Sequence, residues 1–258
     1  MNSLVLGRTI RPIRYWLEGL AYRLTGHPLR LAQLKNRFAN QPMLVVGNGP
    51  SLNSTPLDEF VGVPAIGMNK IDLLFPRVKW RPSLIICMNR HVMAQHQDRY
   101  AAIEIPVYLS WQSRWFIRTK NRGAATYFLD LADTSFSTDI TRGVGISGTV
   151  TYAALQFAFY TGADPVILLG VDHSFAVTGP ANKLVVSHGD DQNHFDPNYF
   201  GNGIKWNLPD LVESERGYSL ARKAFEAHGR KIWDATLGGK LQAFERIGIV
   251  ESMRFCRR

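Results

Sequence analysis

The sequence predicts an α/β fold: a Rossmann-like, mostly parallel sheet with helices on both faces, preceded by an N-terminal amphipathic helical segment. Three observations carry this. Short apolar runs alternate with helical patterns through residues 42–258, as strand–helix–strand units do. Several runs end in Gly, Asn or Ser, where a turn must start. The chain has 258 residues, 45% apolar and 20% charged, which allows a large buried core and excludes a disordered tail.

Residues 1–41 form the helical segment. Ile10, Ile13, Trp16, Leu17, Leu20 and Leu24 recur at spacings of three and four, with arginines between them. Residues 1–42 hold seven basic residues against one acid, Glu18. Residues 230–258 are also basic, with seven against three, whereas 43–229 hold 16 basic and 17 acidic residues. The net charge of +9 thus belongs to the two ends, which argues against a nucleic-acid partner for the central domain. A basic amphipathic helix over residues 9–24 suits contact with an anionic membrane surface. It equally suits packing on the domain or on a neighbouring subunit of a homo-oligomer. Arg8, Arg11 and Arg14 interrupt the apolar run, so neither a signal peptide nor a spanning helix is expected. Cys87 and Cys256 have no metal or disulfide spacing, which predicts a reducing, cytoplasmic setting, peripheral to the inner face of the membrane if the basic segment binds there.

The domain of residues 42–258 opens at Asn40-Gln41-Pro42. Strands are expected at Met43–Val46, Pro64–Met68, Leu84–Met88, Val107–Leu109, Thr126–Leu129, Val166–Leu169 and Lys231–Trp233. In open parallel sheets ligands gather beyond the carboxyl ends of the strands. Residues 174–209 show no clear element, and a loop that long suggests an active-site lid.

The first strand runs into Gly47-Asn48-Gly49-Pro50-Ser51-Leu52, and Ser54-Thr55-Pro56 followed by Asp58 and Glu59 reads as a helix start. Glycines admit close approach of a ligand, and turn amides before a helix attract phosphate, so a phosphate cradle is expected. It is not the dinucleotide fingerprint, because Leu52 stands where a third glycine belongs, and no Walker sequence occurs in the chain. Asn69 and Asn89 end the second and third strands alike, as donors and acceptors for a ligand or as turn caps. A second anion site is expected at Arg142-Gly143-Val144-Gly145-Ile146-Ser147-Gly148-Thr149, opening an apolar helix through Tyr160; Ser147 as a plain N-cap is the alternative. Asp172 ends the next strand, suited to a ribose, a metal or loop orientation. Two histidines and three aspartates follow at 188–196, matching no standard metal-ligand spacing. His194 is the candidate base and His188 the reserve.

In order, GNGPSL at 47–52, Asn69, Asn89, Ile146-Ser147-Gly148, Leu169-Gly170-Val171-Asp172 and Asn193-His194-Phe195 resemble the MptE-like proteins, formerly domain of unknown function 115. The closing Asp234–Leu241 stretch looks like the ending of that family. The superfamily includes 6-hydroxymethylpterin diphosphokinases, and the same series resembles the bacterial sialyltransferases of glycosyltransferase family 42. The resemblance implies that Gly47, Asn48, Gly49, Ser51, Asn69, Asn89, Ser147 and Gly148 hold a nucleotide, and that His194, with Asp172 in the site, deprotonates an acceptor without a metal. Tyrosines steady the departing phosphate in those enzymes, but His173-Ser174-Phe175 follows Asp172 here. Tyr199, Lys183, Arg142 or a metal would then substitute.

The leading expectation is a nucleotide-sugar-dependent glycosyltransferase, sialyltransferase-like and favouring a CMP-linked donor, that serves a hydroxyl acceptor in surface-glycan assembly. The alternatives are diphosphate transfer from ATP, with Mg²⁺ on Asp172 and Asp190 or Asp191, and a non-catalytic nucleotide-binding or scaffold protein.

Overall fold

The computed structural model describes residues 15–117 and 125–257. The chain begins with α1 at residues 15–23 and α2 at His27–Ala32; residues 9–14 of the expected helix lie outside the described residues. There follow β1 (Met43–Val46), β2 (Ala65–Met68), β3 (Leu84–Cys87), α3 (Arg90–Ala102), β4 (Val107–Ser110) and β5 (Thr126–Phe128). The chain continues through α4 (Val150–Tyr160), β6 (Val166–Leu169), β7 (Leu184–Val186), β8 (Lys205–Asn207) and α5 (Leu211–Glu226). It closes with β9 (Ile232–Asp234), β10 (Glu245–Arg246) and α6 (Ile249–Cys256).

Eight strands form one sheet in the order β10-β9-β6-β1-β2-β3-β4-β5, and every pairing in it is parallel. Strand β1 is buried at every residue, the mark of a parallel strand covered on both faces. Its side chains alternate between two cores. Met43 and Val45 join α4 and α5 on one face, while Leu44 and Val46 join Val92 and Met93 of α3 on the other. Full burial of each such side chain is worth roughly 1.5–3 kcal/mol.

Helix α4 is apolar all round and buried from Thr151 to Tyr160, as its composition demands. Its one long polar side chain, Gln156, is fully buried and satisfied. Its amide donates to the Gly145 and Tyr152 carbonyls, and its oxygen accepts from the amides of Ser137 and Gly145. This pins the loop before α4 in place.

Two expectations change. Short 3₁₀ turns at Pro50–Asn53 and Leu57–Phe60 replace the helix expected near Ser54-Thr55-Pro56. Within 174–209, β7 and β8 form a separate antiparallel hairpin. Its three-residue strands expose Leu184 and Val186, so they lack the continuous apolar run that marks the main-sheet strands.

Helix α1 meets the domain through Glu18 and Tyr22, the latter buried in the core against Trp111. Glu18 accepts from Trp111 Nε1 at 2.8 Å and bridges Arg114 at 2.9 Å, and the Tyr22 hydroxyl donates to the Tyr127 carbonyl at 3.0 Å.

Candidate active site

Strand β1 lies between β2 and β6, so the chain crosses from one side of it to the other, and the carboxyl ends of β1 and β6 border a cleft. The cleft has a volume of about 530 Å³. Gly47, Asn48, Gly49, Asn69, Asn89, Gly148, Asp172 and His194 line it, so the structure brings together eight of the ten residues singled out in the sequence. Ser51 and Ser147 are not among the lining residues.

The Gly47–Ser51 turn braces two strands. Gly47 N donates to the Leu169 carbonyl and Gly49 N to the Gly170 carbonyl. Ser51 donates from its amide to Asp172 Oδ1 at 3.0 Å and from its hydroxyl to Asp172 Oδ2 at 2.7 Å. A Cβ on Gly47 would overlap the Gly170 carbonyl, and one on Gly49 would overlap the Asp172 carboxylate. Glycine is therefore required here for close packing of the two strand ends. The amides of Gly47, Gly49 and Ser51 are bonded within the chain and Pro50 has none, so of the amides from Gly47 to Ser51 that of Asn48 is left for a phosphate. Asn48 has spare capacity: its buried Oδ1 has no hydrogen-bond partner.

Asp172 is consequently a latch. Burial raises its pKa above the usual carboxylate range, against the bonds from Ser51 and the charge of His194. Behind it, Lys240 N donates to the Asp172 carbonyl, and Thr236 Oγ1 accepts from Val171 N. The Asp234–Leu241 stretch thus supports the β6 end from outside the cleft.

Asn69 sits at φ +49°, a left-handed conformation that Asn tolerates, with its Oδ1 buried and unpartnered. Asn89 caps α3, its Oδ1 accepting from the amides of His91 and Val92, and only its NH₂ remains for a ligand. Ser147 is buried and donates to the Glu213 carbonyl of α5, neither capping α4 nor facing the cleft. The cap is Thr149, whose side chain accepts from Thr151 N, and this helix start lines the cleft. A helix N-terminus there favours negative charge.

His194 has the most developed surroundings. Its Nδ1 lies 2.8 Å from Asp191 Oδ2. Burial opposes ionisation of Asp191, but the His194 hydrogen bond and charge and the amides of Asn193 and Phe200 together hold its pKa below the ordinary value. An ionised carboxylate accepts only, so when the ring is neutral Nδ1 carries the proton and Nε2 the lone pair. Nε2 has no protein partner among the described residues. The ring stacks on Tyr199 at 3.9 Å between centroids and 3° between planes, with the edge of Phe200 at 5.2 Å. Lys70, buried beyond β2, donates to the Tyr199 carbonyl at 2.7 Å, and Phe195 N donates to the Asn48 carbonyl at 3.0 Å. Burial pulls the Lys70 pKa down, opposed by Cys87, Asp191 and Asp72.

Sequence reading missed Asp191 as the orienting group, Tyr199 as the stacking platform and Lys70 as the anchor. The signal for the first was Asp191-Gln192-Asn193-His194, an Asx turn in which Asp191 Oδ1 accepts from Asn193 N. The reserve base His188 is exposed and does not line the cleft. Of the carboxylates named for Mg²⁺, both Asp172 oxygens accept from Ser51, Asp191 pairs with His194 and accepts from two amides, and Asp190 is exposed. Among the described residues no three His, Cys, Asp or Glu side chains converge as a metal site.

No family model and no curated protein matches the chain, so the MptE-like resemblance rests on the quoted motifs. Among solved structures, the MAf glycosyltransferase from Magnetospirillum magneticum AMB-1 aligns with a TM-score of 0.49 and 13% identity. The alignment covers 90% of this chain and 41% of that one, so the chain spans less than half the length of that structure.

Proposed function

We propose that the cleft binds the nucleotide part of a nucleotide sugar and that the protein is a glycosyltransferase acting on a hydroxyl acceptor. The observation that carries this is the His194–Asp191 pair at the cleft, with Nδ1 committed to a carboxylate and Nε2 open. In the proposed step Nε2 takes the acceptor hydroxyl proton as the oxygen bonds to the anomeric carbon. The bond from that carbon to the nucleotide's phosphate oxygen breaks, and its electron pair leaves with the phosphate. The start of α4 faces that developing charge. Asn48, Asn69 and Asn89 line the cleft, and their side-chain amides are the proposed polar contacts to the nucleotide. Asp172 keeps the turn in shape as a positioning residue.

The test is thermal shift with CMP, UDP, GDP, AMP and ATP, each with and without Mg²⁺. Stabilisation by CMP without metal supports a CMP-linked donor, and stabilisation by UDP or GDP supports a different donor for the same reaction. A response only to ATP with Mg²⁺ would overturn the reading in favour of diphosphate transfer. No response to any nucleotide would assign the chain to the scaffold class.

A further inference from the structure

Trp16, Leu17 and Leu20 of α1, and Leu24 just after it, are left exposed. A helix that uses its amphipathic face to pack on its own domain buries the apolar stripe, yet here Glu18 and Tyr22 make the contact and Gly19 lies against Leu129. Trp16 is 66% exposed, Leu24 is 83% exposed, and Leu17 and Leu20 are exposed as well. The Glu18 bridge brings a second exposed apolar group alongside. Arg114, which pairs with Glu18, sits over the ring of Trp115 at 4.4 Å, and Trp115 and Phe116 are both exposed. Two segments nearly a hundred residues apart in sequence are thus joined by the Glu18–Arg114 bridge, and each exposes a tryptophan.

The edge of this face continues into a groove of about 640 Å³ between α1 and residues 129–142, whose lining includes Trp16, Leu20, Leu129, Arg23 and Arg142 and one acid, Asp139. Arg23 and Arg142 are exposed and have no ion-pair partner among the described residues. Unpaired arginines beside exposed tryptophans have two chemically different uses, a bilayer interface or a second copy of the chain. Charge separates them. Arg23 and Arg142 both border this face, so two copies meeting through it would bring these like charges together, whereas an anionic surface attracts them.

We propose that α1, together with Trp115 and Phe116, docks the protein on an anionic lipid bilayer, its tryptophans at the headgroup level and Arg23 and Arg142 on lipid phosphates. No described helix is long and apolar enough to cross a membrane, so the contact is with the surface.

The experiment is flotation of the full chain with vesicles of phosphatidylcholine alone and of phosphatidylcholine mixed with phosphatidylglycerol. Binding is expected to the mixed vesicles only, weakening as salt rises. The Trp16→Ser/Leu20→Ser variant should bind at least tenfold more weakly. The Arg23→Gln/Arg142→Gln variant should lose roughly thirtyfold, the equivalent of about 1 kcal/mol for each basic residue near the surface. Because all four side chains are exposed, unchanged circular dichroism and urea midpoints are expected, and these confirm that the variants fold. Equal binding to both vesicle types, or wild-type binding by either variant, would overturn the proposal. A dimer in sedimentation that Trp16→Ser/Leu20→Ser abolishes, with no vesicle binding, would assign the face to a second copy and likewise overturn it.

Discussion

At the scale of single residues, the two nitrogens of His194 have different fates, and Asp191 decides which is which. Replacing Asp191 with Asn lets either ring nitrogen hold the proton, so kcat should fall on the order of a hundredfold or more, and His194→Gln should cost 10²- to 10⁴-fold. Both variants should keep the thermal shift produced by the nucleotide, because neither residue is assigned to it. Loss of that shift together with activity would point to a binding role instead. Asp191 also predicts a pH dependence. Its folded pKa lies below the ordinary value near 3.9, so its stabilisation is complete above that value and is lost as pH falls through the lower folded one. The urea-midpoint gap between wild type and Asp191→Asn should hold steady near neutrality and close in acid. Asp130 runs the other way. Burial pushes its pKa up to about 7, Ser110 donates to Oδ2, and Oδ1 has no partner. The folded state therefore keeps a proton that the unfolded state releases near 3.9, and ionised Asp130 is a cost above pH 7. Asp130→Asn should be the more stable protein at pH 8, with its advantage shrinking as pH falls toward 4.

At the scale of elements, legibility followed burial. Met43–Val46 and Val166–Leu169 have the bounds read from the sequence, because a central parallel strand leaves an unbroken apolar run with a glycine at its end. The β7–β8 hairpin was illegible because its strands are three residues long and largely exposed. The periodicity of α1 was legible but its orientation was not: a 3.6-residue repeat reports an apolar stripe and is silent on what the stripe faces. The Gly47–Ser51 turn was recognisable by composition, yet glycine's two uses, admitting a ligand and admitting a neighbouring strand, look alike in sequence. The structure shows the second use, with a testable consequence. Gly49→Ala places a methyl on the Asp172 carboxylate and must break the Ser51 latch, at about 2–4 kcal/mol. If the latch is the reason, Gly49→Ala combined with Asp172→Ala should be less destabilised in urea than the sum of the two single variants. Simple additivity would place the cost of Gly49→Ala elsewhere.

At the scale of the whole molecule, the uneven charge separates two kinds of binding. The cleft is built from residues 43–229, which are close to neutral, and its proposed contacts are neutral side-chain amides and a helix start. The proposed bilayer contact belongs to the basic N-terminal region. A nucleotide at a hundred times its Kd should stabilise the fold by about 2.7 kcal/mol, which for a domain of this size raises Tm by roughly 5–10 °C. Few ionic contacts imply that this shift should change little between low and physiological salt, whereas vesicle binding should weaken steeply over the same range. The two should also separate by mutation: Asn48→Ala should reduce the nucleotide shift and leave flotation unchanged, and Trp16→Ser/Leu20→Ser should do the reverse. If salt abolished both together, or if either variant impaired both, the near-neutral cleft and the basic face would be one binding surface, and the division of charge along the chain would have no functional meaning.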